Sequence, residues 1–134
     1  MPQTTDSITA LSGSHSAPAR TPNRSGGAPP GNLYAPVPDA QARAPLDAAW
    51  DAGIRLFDTA PLYGFGLSEE RFGRVLSKTK RGDFVLSTKI GRLLEDCRPE
   101  EIPEYNFVST PNRKFRYDYS YDAVMRSHEE SLKR

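Results

Sequence analysis

The chain has 134 residues, 18 basic and 17 acidic side chains, a formal net charge of +1 and one cysteine; the length suits one ordinary domain, and the balance excludes a dedicated polyanion or nucleic-acid binder. Cys97 closes no disulfide within the chain and makes no zinc-ligand spacing with His15 and His128, so no metal site is expected and a reducing cytoplasm is the default setting. No apolar run approaches the roughly 20 residues that cross a bilayer, and the N-terminus lacks the apolar core of a secretory signal, so no membrane residence is expected.

Residues 1–32 are rich in Ser, Thr, Pro, Ala and Gly. With few large apolar side chains to offset the entropy of ordering, they read as a disordered tail, and 33–134 as the folded part. A first helix is suggested between Asp39, a good N-cap, and Gly53, a good stop, with Leu46, Ala49 and Trp50 on one stripe. Pro45 opposes a start at Asp39 by about 3 kcal/mol, so a short helix beginning at Pro45 is the alternative. A strand follows at Ile54–Asp58, with Ile54, Leu56 and Asp58 on one face and Arg55 and Phe57 on the other. The second helix takes Ser68 as N-cap, Glu69 and Glu70 in its first turn, Phe72, Val75 and Leu76 as its buried stripe, and Gly82 as its stop. The next strand, Phe84–Lys89, turns Val85, Ser87 and Lys89 to one face. From Gly91 to Tyr119 the chain reads as a long polar loop marked by prolines and aromatics. A last helix runs from about Ser120, with Val124, His128 and Leu132 on one face and a Glu129–Lys133 pair at i,i+4.

Strand, helix and strand in succession imply a parallel pair with a right-handed crossover. That alternation suits a β/α barrel or an open doubly wound sheet equally. In either, Asp58 and Lys89 end neighbouring strands, about 4.8 Å apart, where a carboxylate and an ammonium pair directly. Tyr63 lies in the turn after Asp58. A charged lysine beside it favours tyrosinate and brings a phenol pKa of about 10 closer to working pH. These three groups form a proton-transfer site suited to a carbonyl.

The wording GGAPPGNLY, DTAPLYGFGLSE, STKIGRLL and DYSYDAVMRS, in that order, resembles the aldo-keto reductases over Gly26–Arg134, and within them the branch that oxidises aldoses, fucose or pyridoxal. The resemblance implies an α/β fold, the first part of an eight-stranded TIM-type β/α barrel with about three βα units; such barrels typically take about 250 residues. It implies Tyr63 as general acid and base, Asp58 and Lys89 as its catalytic partners, Asp58 also touching the cofactor, NADP or NAD as that cofactor, and a small carbonyl or sugar as substrate. The family's first strand falls just before GGAPPG, yet Ser16–Gly27 holds no Val, Ile, Leu or Phe, so that strand reads as missing. The family's fourth catalytic group, a histidine ending the fourth strand, lies beyond Arg134; His128 sits in a helical pattern and does not stand in for it. The 134-residue stretch alone is therefore expected to be inactive. The alternative is a non-catalytic module that docks, or self-associates, through its exposed barrel edges.

Two weaker patterns are set aside. GFGLSE begins like a dinucleotide fingerprint, but Glu69 occupies the third glycine position, and Gly64 and Gly66 better serve a tight turn presenting Tyr63. PNRKFRYDY interleaves bases and aromatics as single-strand binders do, but Asp118 and the near-neutral charge favour a substrate-side loop.

Overall fold

Three short parallel strands, β1 (Ser25–Gly26), β2 (Leu56–Asp58) and β3 (Val85–Ser87), lie side by side in that order in the computed structural model, which describes residues 24–134. Residues 1–23, most of the tail read as disordered, fall outside the described range. Ser25 and Leu86 flank Phe57, while Gly26 and Ser87 flank Asp58. The first strand is thus present. It pairs through backbone groups that every residue carries, so its lack of large apolar side chains conceals it. The boundary drawn at residue 32 also moves, because β1, a 3-10 turn at Pro29–Gly31 and the buried Asn32 all belong to the folded part.

Helix α1 (Asp39–Asp51) crosses from β1 to β2 and α2 (Leu67–Leu76) from β2 to β3. Both pack on the sheet face that carries Phe57. There Leu46, Phe57, Phe72, Leu76 and Phe84 form the core, with Trp50 stacked on Phe57 at 6.4 Å and Phe72 edge-on to it at 6.0 Å. Ile54, assigned to the opposite face, packs here as well; the strand begins only at Leu56, so alternation does not reach back to it.

Helix α1 starts at Asp39 despite Pro45, with Pro38 at the cap and no side-chain cap bond. The anchoring is tertiary. Asp39 pairs with Arg71 at 2.8 Å and Arg74 at 2.7 Å, and Leu46 and Ala42 are buried beyond it. The hydrogen bond from Arg71 is the main cause that holds the Asp39 carboxyl below its ordinary range. Pro45 is exposed and still denies the Gln41 carbonyl a donor. Pro45→Ala should therefore raise unfolding stability by about 1–3 kcal/mol, read from the urea midpoint at constant slope. An unchanged or lower midpoint would show that the helix bends there by design.

Helix α2 begins at Leu67, with Gly66 rather than Ser68 at its cap. Gly64, Phe65 and Gly66 take φ of 67°, 51° and 91°, and this left-handed turn supplies carbonyls to the first helical donors: Leu67 N donates to Gly64 O at 3.1 Å and Ser68 N to Tyr63 O at 3.1 Å. A side-chain cap is redundant there. The Gly64 α-carbon also meets the Gly31 backbone so closely that a β-carbon would collide with the Gly31 carbonyl. The helix ends at Leu76, well before Gly82.

The stretch read as a loop contains an antiparallel hairpin, β4 (Arg92–Asp96) and β5 (Arg113–Tyr117), with Leu94 opposite Phe115 and Arg92 opposite Tyr117. Phe115 stacks on Phe65 at 6.1 Å and meets Tyr105 and Tyr117 edge-on, which ties the hairpin to the turn before α2. Its long connection hides the pairing, because register is set here by aromatic contact and not by a tight turn.

Helix α3 (Tyr121–Lys133) is capped by Ser120, whose hydroxyl accepts from Ala123 N. Bonds from Arg116 and Ser120 push the neighbouring Asp118 carboxyl down to about 2. The helix buries Ala123 and Ser127 rather than the Val124, His128 and Leu132 face; Leu132 is 68% exposed. Small residues admit the close approach to β4 that larger ones forbid. Arg126–Glu130 at 3.9 Å, not Glu129–Lys133, is its i,i+4 ion pair.

Candidate active site

Asp58 ends β2 on the sheet face opposite Phe57, beside Ser87 of β3. Lys89 follows β3 and turns its ammonium back across the strand ends, where Nζ donates to Asp58 Oδ1 at 3.2 Å, Asp58 Oδ2 at 3.1 Å and the Thr59 carbonyl at 3.0 Å. An ammonium has three donors, and these acceptors surround it on the protein side. The Asp58 side chain is only 15% exposed. Its burial opposes ionisation, but hydrogen bonds from Lys89 and the Ser87 hydroxyl outweigh that and hold the carboxyl below its ordinary range.

Tyr63 sits in the turn between β2 and α2, with its ring face 5.2 Å from the Lys89 ammonium. The three side chains that the strand and turn spacing predicts do converge. Lys89 pairs with Asp58 as the spacing predicts, and it also donates to the Thr59 carbonyl and lies over the face of the Tyr63 ring. Among the described residues the Tyr63 hydroxyl forms no hydrogen bond, so it is available to a bound molecule.

Supporting groups escaped the sequence reading. Thr59, 2% exposed, shares a hydrogen bond of 2.9 Å with the Ser68 hydroxyl, locking the start of α2 to the end of β2. Glu69 accepts from the Thr88 hydroxyl at 2.6 Å and from Arg134 at 2.7 Å, so the residue before Lys89 is fixed to α2. Glu69 was visible as a first-turn acid; its burial was not. Arg71, 7% exposed, reaches from α2 into the loop after β1 and donates to Pro30 O, Asn32 Oδ1, Val37 O and Asp39.

Replacing Lys89 by methionine removes the main counterweight to burial. The Asp58 carboxyl in Lys89→Met should titrate above its ordinary range, followed by carboxyl-carbon NMR. In the parent protein a depressed carboxyl stabilises the fold above the unfolded value of about 3.9, and that contribution is lost as pH falls through the folded value. In Lys89→Met the sign reverses. Persistence of a depressed Asp58 in that variant would assign the shift to Ser87 or to the backbone.

For the nicotinamide nucleotide that the family resemblance implies, the relevant group is Asp58. An ionised, largely buried carboxylate at a strand end suits the hydroxyls of the sugar that carries the ring, and the cation that bonds it, Lys89, is directed at the carboxylate itself. The residues here fit the ring-bearing end of that group.

A profile of the Aldo/keto reductase family matches residues 25–134, and the chain belongs to that family. Its sheet and crossovers form part of a TIM-type β/α barrel. It is 43% identical over 118 residues to pyridoxal 4-dehydrogenase of Microbacterium luteolum and 44% identical over 113 residues to D-threo-aldose 1-dehydrogenase of a Pseudomonas species. Each match covers 81% of this chain and 34% of the relative, so the chain spans about a third of their length. Among solved structures, glycerol dehydrogenase of Gluconobacter oxydans superposes with a TM-score of 0.59 at 32% identity, over 82% of this chain and 30% of that one. No helix among the described residues is long and apolar enough to cross a membrane.

Proposed function

We propose that these residues carry the acid–base half of an NAD(P)-dependent oxidoreductase that interconverts a small carbonyl compound, an aldehyde, aldose or lactol-type sugar, with its alcohol or oxidised product, in a reducing cytoplasm. The observation that carries it is the Asp58–Lys89 pair against the ring of a tyrosine whose hydroxyl forms no hydrogen bond among the described residues. In reduction, Tyr63 gives its proton to the substrate oxygen, and the Lys89 ammonium offsets the charge left on the phenolate. In oxidation, the phenolate takes the proton back. Asp58 holds Lys89 in place. Bound nicotinamide supplies or accepts the hydride. Similarity to an aldose dehydrogenase and a pyridoxal dehydrogenase supports the substrate class.

The protein as its gene encodes it should oxidise aldoses with NAD(P)+ and reduce small aldehydes with NAD(P)H, followed by nicotinamide absorbance. Failure with every such pair would sink the proposal. For the 134-residue stretch assayed alone we propose little or no turnover, since it holds three of the four groups that the family resemblance implies.

A second reading, self-association, is favoured by one observation: among the described residues β3 pairs only with β2, and its Val85 is 48% exposed. It requires a concentration-dependent oligomer in sedimentation; a monodisperse monomer ends it.

A further inference from the structure

We propose that Phe107, from the connection between β4 and β5, is the apolar wall of the substrate pocket and biases the site toward cyclic carbonyl compounds over short open-chain ones. This rests on the reading of Tyr63 as the proton donor.

The Phe107 ring is partly buried and lies 6.1 Å from that of Tyr63, tilted by 43°. It is the aromatic face next to the reacting phenol, on a stretch between β3 and α3, and connections after barrel strands are where barrels vary their substrate choice. The connection is held in place. Phe107 bridges to Leu33, Tyr34 N donates to Asn106 O at 2.6 Å, and Val108 N donates to Asn32 O at 3.1 Å. Asn32 clamps it further: its amide donates to Val108 O at 3.0 Å and Ser109 O at 3.3 Å, while its Oδ1 accepts from Arg71 at 2.8 Å and Val37 N at 3.1 Å. The clamp runs from α2 through Asn32 to Phe107, so the wall is set by the scaffold and not by the substrate. A molecule that brings its carbonyl oxygen to Tyr63 brings the adjoining carbon framework to this face. An aromatic ring or the carbon face of a sugar ring gains contact there; a two- or three-carbon chain gains little.

The test compares kcat/KM for benzaldehyde and for propanal in the protein as its gene encodes it, in Phe107→Ala and in Phe107→Tyr. Phe107→Ala should lower the benzaldehyde-to-propanal ratio by roughly tenfold, mainly through KM, and Phe107→Tyr should restore it. Asn32→Gly keeps the left-handed backbone at φ 63° but removes the clamp, and should move the ratio the same way. A ratio unchanged in Phe107→Ala, or equal losses on both aldehydes, overturns the inference while leaving Tyr63's role intact. Turnover that survives Tyr63→Phe overturns the underlying reading, and the inference with it.

Discussion

In the protein as its gene encodes it, Tyr63→Phe should lower turnover by about 10²- to 10⁴-fold, with little change in nicotinamide affinity or unfolding midpoint. Several features make this substitution a clean test. The hydroxyl has no hydrogen bond to lose among the described residues, so its removal orphans nothing in the fold. The ring keeps its packing against Phe107, and the Tyr63 carbonyl still receives Ser68 N. What is deleted is the proton, and with it the only neutral acid beside Lys89 in the cluster of three. Lys89→Met is less discriminating, because it also strands the 15%-exposed Asp58 carboxyl. A loss in Tyr63→Phe confined to KM, with kcat preserved, would mean that the phenol binds substrate without transferring its proton.

Arg71→Leu should destabilise the protein by about 3–5 kcal/mol, the second large effect. The guanidinium is 7% exposed and serves four acceptor groups, three in the loop after β1 and Asp39 at the start of α1. Leucine fills much of the volume but donates nothing, leaving the buried Asn32 Oδ1 and Pro30 carbonyl without their Arg71 donor. Asp39 contributes less to the loss, being 60% exposed and still paired with Arg74. Urea unfolding of the two proteins at equal slope measures the difference. A change below about 1 kcal/mol would show that water replaces the guanidinium in this network.

The candidate cluster was legible because its spacing is local and periodic. Asp58 ends β2 and Lys89 lies just past β3, and adjacent parallel strands in register bring these positions together. Phe72 and Leu76 were legible as core for the same reason, whereas the membership of Phe57 and Phe84 in that core was not. The failures share a different cause. β1 has two residues and pairs through its backbone alone, so composition is blind to it. Helix α1 keeps its start at Asp39 because Arg71 and Arg74, more than thirty residues away, anchor it. The hairpin has a long connection and is registered by Phe65, Tyr105 and Phe115, whose meeting no short window contains.

By itself, then, the chain's order of residues determined which three groups make up the candidate site and that they stand at or just past neighbouring strand ends, since alternation and turn glycines act over a few neighbours. Tertiary structure alone decided what surrounds them: that Lys89 spends its donors on Asp58 and Thr59 and lies over the Tyr63 ring, that Asn32 joins Arg71 to the hairpin, and that Phe107 closes on the phenol. Those contacts join residues tens of positions apart. Their geometry is fixed by how the helices and the hairpin settle on the sheet, which no local pattern encodes.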